Sequence, residues 1–256
     1  MNKNEFTDDD LILGGYRLLQ KRDGYRFSLD ALLLAAFVPV FPGAAVLDLG
    51  CGSGILPLLL LGREPSLAVT AVEKMEGPCA LARRNMAKNK APVTVLLGDA
   101  MEADRFLAAF SFDLIVTNPP FYPVAKCRLP QKQEIAAAKT ELFWSPEGLM
   151  DQSFSLLRER GRLALIFPGT RKEEICARAA EAGLCLERSR DIFSKKTNPG
   201  FSRVLLQWIK APCRQEKLPP LSIYTEDGDY TQEMKRIFEI YHGTGTVSCG
   251  DAHRQP

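Results

Sequence analysis

The chain has 256 residues, which is enough for one large α/β domain or for one domain with small additions at its ends. Its 46% hydrophobic and 25% charged residues are ordinary for a globular protein, and no apolar run approaches the roughly 20 residues that cross a bilayer. A net charge of +2 excludes a protein that is basic along its whole length. Residues 1–10 lack the basic start and apolar stretch of a secretory signal, so we expect a cytoplasmic protein.

The seven cysteines are scattered along the chain, and none belongs to a Cys-x-x-Cys pair. Only two histidines are present, and both lie near the C-terminus. This pattern indicates neither a metal site nor a disulfide framework. We therefore expect the cysteines to be small, buried, apolar residues.

At its N-terminal end the sequence predicts a small hairpin and one helix. The hairpin would pair Leu11–Leu19 with Tyr25–Phe27 around the Asp23-Gly24 turn. Ser28 is a suitable cap for a helix that runs from Leu29 to about Val38 and ends at Pro39.

The middle of the chain alternates short β-rich runs with helical patterns, which predicts a parallel sheet. Several of the strands are apolar throughout, as expected for strands that are covered on both faces. The predicted strands are Ala45–Leu49, Ala68–Val72, Val93–Leu97, Phe112–Thr117, Leu163–Phe167, Cys185–Arg190 and Val204–Ile209. The predicted helices are Ile55–Gly62, Cys79–Lys88, Pro146–Arg158 and Lys172–Ala182.

After Lys210 the sequence predicts a proline-rich connector and a short amphipathic helix over Thr231–Tyr241. The last residues are small and polar, and we expect them to be disordered. These patterns divide the chain into residues 1–42 (hairpin and helix), 43–210 (main α/β domain), 211–241 (C-terminal extension) and 242–256 (disordered tail).

A glycine-rich loop follows the first strand of the main domain. Asp48 lies at the end of that strand, and Gly50, Gly52 and Gly54 follow before a helix begins. Glycines allow the backbone to turn tightly and to approach a ligand closely. Their G-x-G-x-G spacing differs from the G-x-G-x-x-G of dinucleotide-binding folds.

Two more acids come at the ends of the next two predicted strands. Glu73 follows the second strand and Asp99 the third. Because the carboxyl ends of parallel strands meet at one edge of a sheet, we expect these acids and Asp48 to converge on one crevice.

The fourth predicted strand runs into Asn118-Pro119-Pro120-Phe121. Two consecutive prolines lock the backbone into an extended turn that is poor in hydrogen bonds and leaves carbonyl groups available. The Asn118 side chain adds another acceptor, and Phe121 adds a flat aromatic face. Two acceptors can hold an aryl amine by its N–H bonds and stabilise the positive charge that grows on its nitrogen during attack.

These residues resemble those of the class I S-adenosylmethionine-dependent methyltransferases. The resemblance implies a Rossmann-like, seven-stranded, mostly parallel sheet with an antiparallel last strand, flanked by the small N-terminal and C-terminal elements. It also implies that Gly50, Gly52 and Gly54 pass the methionine part of the cofactor, which Asp48 helps to place. Glu73 would bind the ribose hydroxyls, and Asp99 would accept a hydrogen bond from the adenine amino group.

The NPPF element resembles the catalytic motif of amino methyltransferases that act on adenine, guanine or glutamine amides. On this resemblance Asn118 and the Pro119 carbonyl bind the target amine, Pro120 completes the turn, and Phe121 stacks on the ring. Asn118 would also border the cofactor.

The segments Tyr25–Phe37 and Ile223–Met234, together with these motifs, resemble the bacterial tRNA(Val) adenine-N6 methyltransferase family. The family's target is the adenine just 3′ of the anticodon. The resemblance implies that Phe27, Ser28 and Asp30 belong to a segment that closes over the cofactor.

Basic residues are in excess over acids in the segments that flank these motifs, and together they predict a surface for RNA phosphates. The predicted RNA-binding residues are Lys126, Arg128, Lys132, Lys139, Lys195, Lys196 and Arg203. Three alternatives stay open at this point: guanine-N2 methylation of ribosomal RNA, a non-catalytic RNA- or cofactor-binding module, and a protein-glutamine methyltransferase. Phe121, where glutamine enzymes favour tyrosine, disfavours the last of these.

Overall fold

The computed structural model describes residues 6–10, 15–21, 29–119, 144–195 and 202–242. The strands are β1 (Phe6–Asp10), β2 (Arg17–Lys21), β3 (Ala45–Leu49), β4 (Ala68–Glu73), β5 (Val93–Leu97), β6 (Phe112–Thr117), β7 (Leu157–Pro168), β8 (Cys185–Lys195), β9 (Ser202–Ile209), β10 (Glu216–Lys217) and β11 (Leu221–Tyr224). The helices are α1 (Leu29–Phe37), α2 (Ile55–Arg63), α3 (Glu76–Asn89), α4 (Pro146–Leu156), α5 (Lys172–Glu181) and α6 (Gln232–His242).

The main sheet has the strand order β10-β8-β9-β7-β6-β3-β4-β5, and β11 also pairs with β8. All its pairs are parallel except those that β9 makes with β7 and β8. The Rossmann-like sheet with an antiparallel last strand is therefore confirmed. Over the described residues the sheet has nine strands, not seven, because β10 and β11 of the predicted connector align along β8.

Helices cover both faces of the sheet, and each face has its own apolar core. On one face Val46 of β3 packs with α1, α2 and α6. On the other face Leu47 and Leu49 of the same strand pack with α4 and α5. Since successive side chains of a strand point to opposite faces, a strand buried on both faces must be apolar throughout. This explains why continuous apolar runs in the sequence predicted these strands.

The N-terminal hairpin is present, but its strands are not those predicted. β2 pairs with β1 in antiparallel register, with Thr7 opposite Gln20. The strand over Leu11–Leu19 was therefore misplaced, because Arg17–Lys21 is the strand and its partner lies upstream. Residues 22–28, including the predicted Asp23-Gly24 turn, lie outside the described residues.

The C-terminal extension packs on the main domain. The Met234 and Tyr241 side chains of α6 are fully buried in the core that also contains α1 and α2. Cys185 at the start of β8 forms a disulfide with Cys213 in the connector. The prediction that the cysteines form no disulfide was wrong for this pair, because residues 28 positions apart are brought together only by the pairing of the extension with β8. No helix in the described ranges is both long and apolar enough to cross a membrane.

Candidate active site

The glycine loop connects β3 to α2 at the C-terminal edge of the sheet. Gly50, Gly52 and Gly54 have φ angles of 78°, 56° and 85°, in the left-handed region that favours glycine. The backbone N–H groups of Gly50 and Cys51 donate to the Val72 carbonyl at 2.9 and 3.0 Å. The loop is thereby held against the end of β4 and has the tight turn that its sequence predicts.

Glu73 ends β4 and holds the glycine loop from the side. Its Oε2 accepts a hydrogen bond from the Gly52 N–H at 2.9 Å, and its Oε1 accepts one from the Met75 N–H at 2.9 Å. Burial raises the pKa of the Glu73 carboxyl, and the hydrogen bonds from backbone N–H groups oppose that rise. One carboxylate therefore links two neighbouring strand ends.

Asp48 is a fully buried acid beneath the glycine loop. It is the penultimate residue of β3, and neither of its side-chain oxygens has a hydrogen-bond donor among the described residues. Burial raises the pKa of Asp48 well above its usual value, and the nearby Glu73 carboxylate raises it further. Because a buried carboxylate without a partner is costly, this group has the chemistry to receive a cationic ligand.

Asn118 follows β6, whose end is fixed to the neighbouring strand. The Thr117 hydroxyl donates a hydrogen bond of 2.7 Å to the Leu49 carbonyl. The Oδ1 atom of Asn118 is buried and has no hydrogen-bond partner in the described part of the chain. Pro119 is buried next to it, while Pro120 and Phe121 lie outside the described residues. The first half of the NPPF element thus offers an unsatisfied acceptor at the same sheet edge as Asp48.

Asp99 lies at the end of β5, next to Glu73. Its Oδ2 is 2.6 Å from the Lys74 ammonium, and its Oδ1 accepts a hydrogen bond of 3.0 Å from the Met101 N–H. The Gly98 N–H also donates to the Glu73 carbonyl at 3.0 Å. The residue before Asp99 is therefore bonded directly to the backbone of Glu73, which keeps the ends of β4 and β5 together.

A family model described as methyltransferase small domain matches residues 29–167, more than half of the 256 residues. The chain belongs to the methyltransferase small domain family. Among its relatives, a tRNA1(Val) (adenine(37)-N6)-methyltransferase from Erwinia tasmaniensis is 31% identical over 227 residues, covering 86% of this chain and 89% of the relative. A protein of the same name from Porphyromonas gingivalis is 28% identical over 232 residues, covering 86% and 89%.

Solved structures confirm the fold of this methyltransferase. A protein from Agrobacterium tumefaciens, described as a predicted O-methyltransferase, superposes with a TM-score of 0.65 at 20% identity. The superposition covers 83% of this chain and 96% of that protein. At that identity the likeness concerns the fold and not the substrate.

Two predicted site residues of the methyltransferase are buried together away from solvent. Arg203, near the start of β9, is 8% exposed, and its Nε is 3.5 Å from Oδ2 of Asp30 in the first turn of α1. Arg203 is therefore not the exposed phosphate ligand that its basic segment suggested. Asp30 is likewise used inside the fold, where it joins α1 to β9.

The remaining predicted residues have different outcomes. Lys195 donates a hydrogen bond of 3.1 Å to the Glu226 carbonyl and lies at the end of β8. The other predicted residues of the RNA surface and of the cofactor-closing segment lie outside the described residues: Phe27, Ser28, Lys126, Arg128, Lys132, Lys139 and Lys196.

Sequence reasoning missed Lys74 and Thr117, although both adjoin the motifs it found. Lys74 directly follows Glu73, and Thr117 directly precedes Asn118. Their contacts are made with Asp99 and with Leu49, 25 and 68 positions away. Their positions next to Glu73 and Asn118 were the only sequence signal for these two residues. Their partners, Asp99 and Leu49, are known only from the fold.

Proposed function

We propose that this protein transfers a methyl group from S-adenosylmethionine to N6 of an adenine in tRNA, in the anticodon-loop region of a valine tRNA. The observation that supports this most is a pair of buried acceptors at one edge of the sheet, Asp48 and Asn118, which have no hydrogen-bond partner among the described residues. The names of the relatives agree with a tRNA adenine target. The same names support a place of action in the cytoplasm, where tRNA is modified.

The residues present fit S-adenosylmethionine. Asp48 supplies a buried carboxylate for the ammonium of its methionine part, and the glycine loop leaves room for its chain. Glu73 would hold the ribose hydroxyls, and Asp99 the adenine amino group, beside Lys74. When bound, the cofactor supplies an electrophilic methyl group on a sulfonium, which leaves as a neutral thioether.

The chain's own contribution would be to orient the amine. The lone pair of an adenine amino group is delocalised into the ring, so the nitrogen is a poor nucleophile. Asn118 Oδ1 and the Pro119 carbonyl would accept its two N–H bonds and stabilise the charge that develops on nitrogen. Phe121 would stack on the purine, which is worth about 1–3 kcal/mol per base. We propose no general base, because the leaving group is neutral and the product ammonium loses its proton readily.

The tRNA would be held by basic residues that flank the site. We propose phosphate contacts from Lys126, Arg128, Lys132, Lys139, Lys195 and Lys196. Arg203 is not among them because it is buried against Asp30. Phe27 and Ser28 would contribute to the cover over the cofactor. An adenine in a single-stranded loop is the cheapest base to splay out of its stack, which suits this reaction.

The decisive experiment combines methyl transfer with mapping. Purified protein, unmodified valine tRNA and S-adenosylmethionine with a labelled methyl group are incubated, and the digested RNA is analysed by mass spectrometry. We expect N6-methyladenosine at the position 3′ of the anticodon, and none with Asn118→Ala. N2-methylguanosine would instead identify a guanine enzyme. Cofactor and RNA binding without transfer to any RNA would identify a binding module.

A further inference from the structure

Helix α3 presents two asparagines to the edge of β2 at a spacing of four residues. Asn85 Oδ1 accepts a hydrogen bond from the Leu19 N–H at 2.8 Å, and its Nδ2 donates to the Leu19 carbonyl at 3.1 Å. Asn89 makes the same two bonds with the Arg17 N–H and carbonyl, both at 2.7 Å. The two carboxamides thus act as a neighbouring strand for alternate residues of β2.

Asn85 makes one bond that Asn89 does not. Its Nδ2 also donates to the carbonyl of Ser53 at 2.9 Å. Ser53 lies between Gly52 and Gly54, in the centre of the glycine loop. Since an amide nitrogen has two N–H donors, the donor capacity of Asn85 is fully used, one bond on the hairpin and one on the loop.

The Asn85 side chain is fully buried, so these bonds are not exchanged with solvent. Without it, the Leu19 N–H, the Leu19 carbonyl and the Ser53 carbonyl would lose a buried partner together. The glycine loop is held from one side by Glu73 at Gly52 and from the other by Asn85 at Ser53. The shape of the loop therefore depends on two side chains from different elements.

We infer that Asn85 is a positioning residue for the cofactor, through which the docking of the N-terminal hairpin strengthens cofactor binding at the glycine loop. This inference rests on the proposed function, because it takes S-adenosylmethionine to be the ligand of that loop. Such a coupling is reciprocal: if the docked hairpin favours the bound cofactor, the bound cofactor favours the docked hairpin by the same factor.

Reciprocity gives a test in the unaltered protein. Hydrogen exchange of the Leu19 amide is measured with and without saturating S-adenosylhomocysteine, the demethylated form of the cofactor. We expect exchange at Leu19 to slow several-fold on binding. The amide of Lys210 serves as the control. It donates to the Gly161 carbonyl at 2.9 Å, near the start of β7 and away from the glycine loop, and its exchange rate should not change. Unchanged exchange at Leu19 in the saturated protein overturns the inference.

Substitutions give the second test, with S-adenosylhomocysteine affinity measured by calorimetry. Asn85→Asp keeps the acceptor for the Leu19 N–H but loses both N–H donors, the one to the Leu19 carbonyl and the one to the Ser53 carbonyl, so we expect its Kd to rise about tenfold. Asn89→Ala is the matched comparison: it removes the hairpin bonds of Asn89 but keeps the Asn85–Ser53 bond, so we expect its Kd to rise clearly less than that of Asn85→Asp, by about threefold at most. A wild-type Kd in Asn85→Asp, or an equal rise in Asn89→Ala, contradicts the inference.

The two tests separate this inference from the proposed function. If the wild-type protein binds no S-adenosylhomocysteine, the proposed cofactor is wrong and the inference falls with it. If the wild-type protein binds it while Leu19 and the Asn85 variant do not respond, only the coupling is wrong. If Asn85→Asp does not fold, the exchange experiment in the wild-type protein decides.

Discussion

The Thr117 hydroxyl donates a hydrogen bond of 2.7 Å to the Leu49 carbonyl, and both residues are almost completely buried. Leu49 directly precedes the glycine loop, and Thr117 directly precedes Asn118. This bond therefore extends the parallel pairing of β3 and β6 to the two strand ends, the one that would hold the cofactor and the one that would hold the target amine.

Replacing Thr117 with valine tests the importance of that bond. Thr117→Val keeps the shape but removes the buried hydrogen bond to the Leu49 carbonyl, which costs about 1–3 kcal/mol of stability. We also expect a lower kcat, because Asn118 is no longer held in place. Urea unfolding and methyl-transfer rates measure both effects. Thr117→Ser retains the hydroxyl and is the control; a valine variant that matches it in both measurements would refute this role.

We expect Asn118 to support methyl transfer and Glu73 to support cofactor binding. Asn118→Ala removes an acceptor at the reacting amine, so we expect kcat to fall by about 100-fold or more with cofactor affinity nearly unchanged. Glu73→Ala removes a group that holds the glycine loop at Gly52, so we expect weaker cofactor binding instead. Calorimetry and single-turnover rates separate the two. Equal losses of cofactor affinity in both variants would contradict this division.

The burial of Asp48 predicts how the stability of the cofactor-free protein depends on pH. Burial, with Glu73 adding to it, raises the folded-state pKa of Asp48, so the cofactor-free fold binds its proton more tightly than the unfolded chain does. The stability from this proton is fully present below the unfolded pKa of about 3.9 and is lost as pH rises through the folded pKa. Asp48→Asn should therefore raise the melting temperature of the cofactor-free protein at neutral pH and remove this pH dependence.

The same substitution should weaken cofactor binding. A neutral amide cannot pair with an ammonium as a carboxylate does, and in the wild-type protein affinity should fall as pH drops through the Asp48 pKa. Melting curves and calorimetry across pH measure the two effects in one pair of proteins. A variant that is more stable and binds the cofactor as tightly as wild type would show that Asp48 does not contact the ligand.

Local patterns specified the central strands β3 and β6 because these are buried on both faces, and they also specified the edge strand β5, which is only partly buried. Ala45–Leu49, Val93–Leu97 and Phe112–Thr117 have the bounds that the sequence predicted. β1 could not be found this way, since Phe-Thr-Asp-Asp-Asp has no strand pattern. Its Asp8 instead binds Arg17 and Lys88, and the latter lies 80 positions away.

Within the candidate site, too, features with a local sequence pattern could be predicted and contacts between distant residues could not. Glycines and strand-end acids are recognisable because their roles follow from the local turn and from the position at a strand's end. Contacts between distant residues have no local signature, which is why Asn85 looked like an ordinary helical residue. Charge counting failed at Arg203 for the same reason, because its partner Asp30 lies in another element.

Substitutions in the Asp30–Arg203 pair test whether Arg203 is a buried ion-pair residue and not an exposed phosphate ligand. Their side chains are 12% and 9% exposed, so Arg203→Met leaves a buried carboxylate without this partner and should destabilise the fold by about 3 kcal/mol. Adding Asp30→Leu removes the stranded charge, so the double variant should unfold at a higher urea concentration than Arg203→Met alone. A double variant less stable than Arg203→Met alone would mean that the cost of losing Arg203 does not come from the Asp30 carboxylate left behind.

RNA binding by the folded Arg203→Met variant completes the test. Each phosphate contact contributes about one unit to the slope of log affinity against log salt concentration. Because Arg203 is buried against α1, its loss should leave that slope as in wild type, whereas Lys126→Ala with Arg128→Ala should lower it. A slope lowered by about one unit in Arg203→Met would return this arginine to the RNA-binding surface. The ion pair would then have to open when RNA binds.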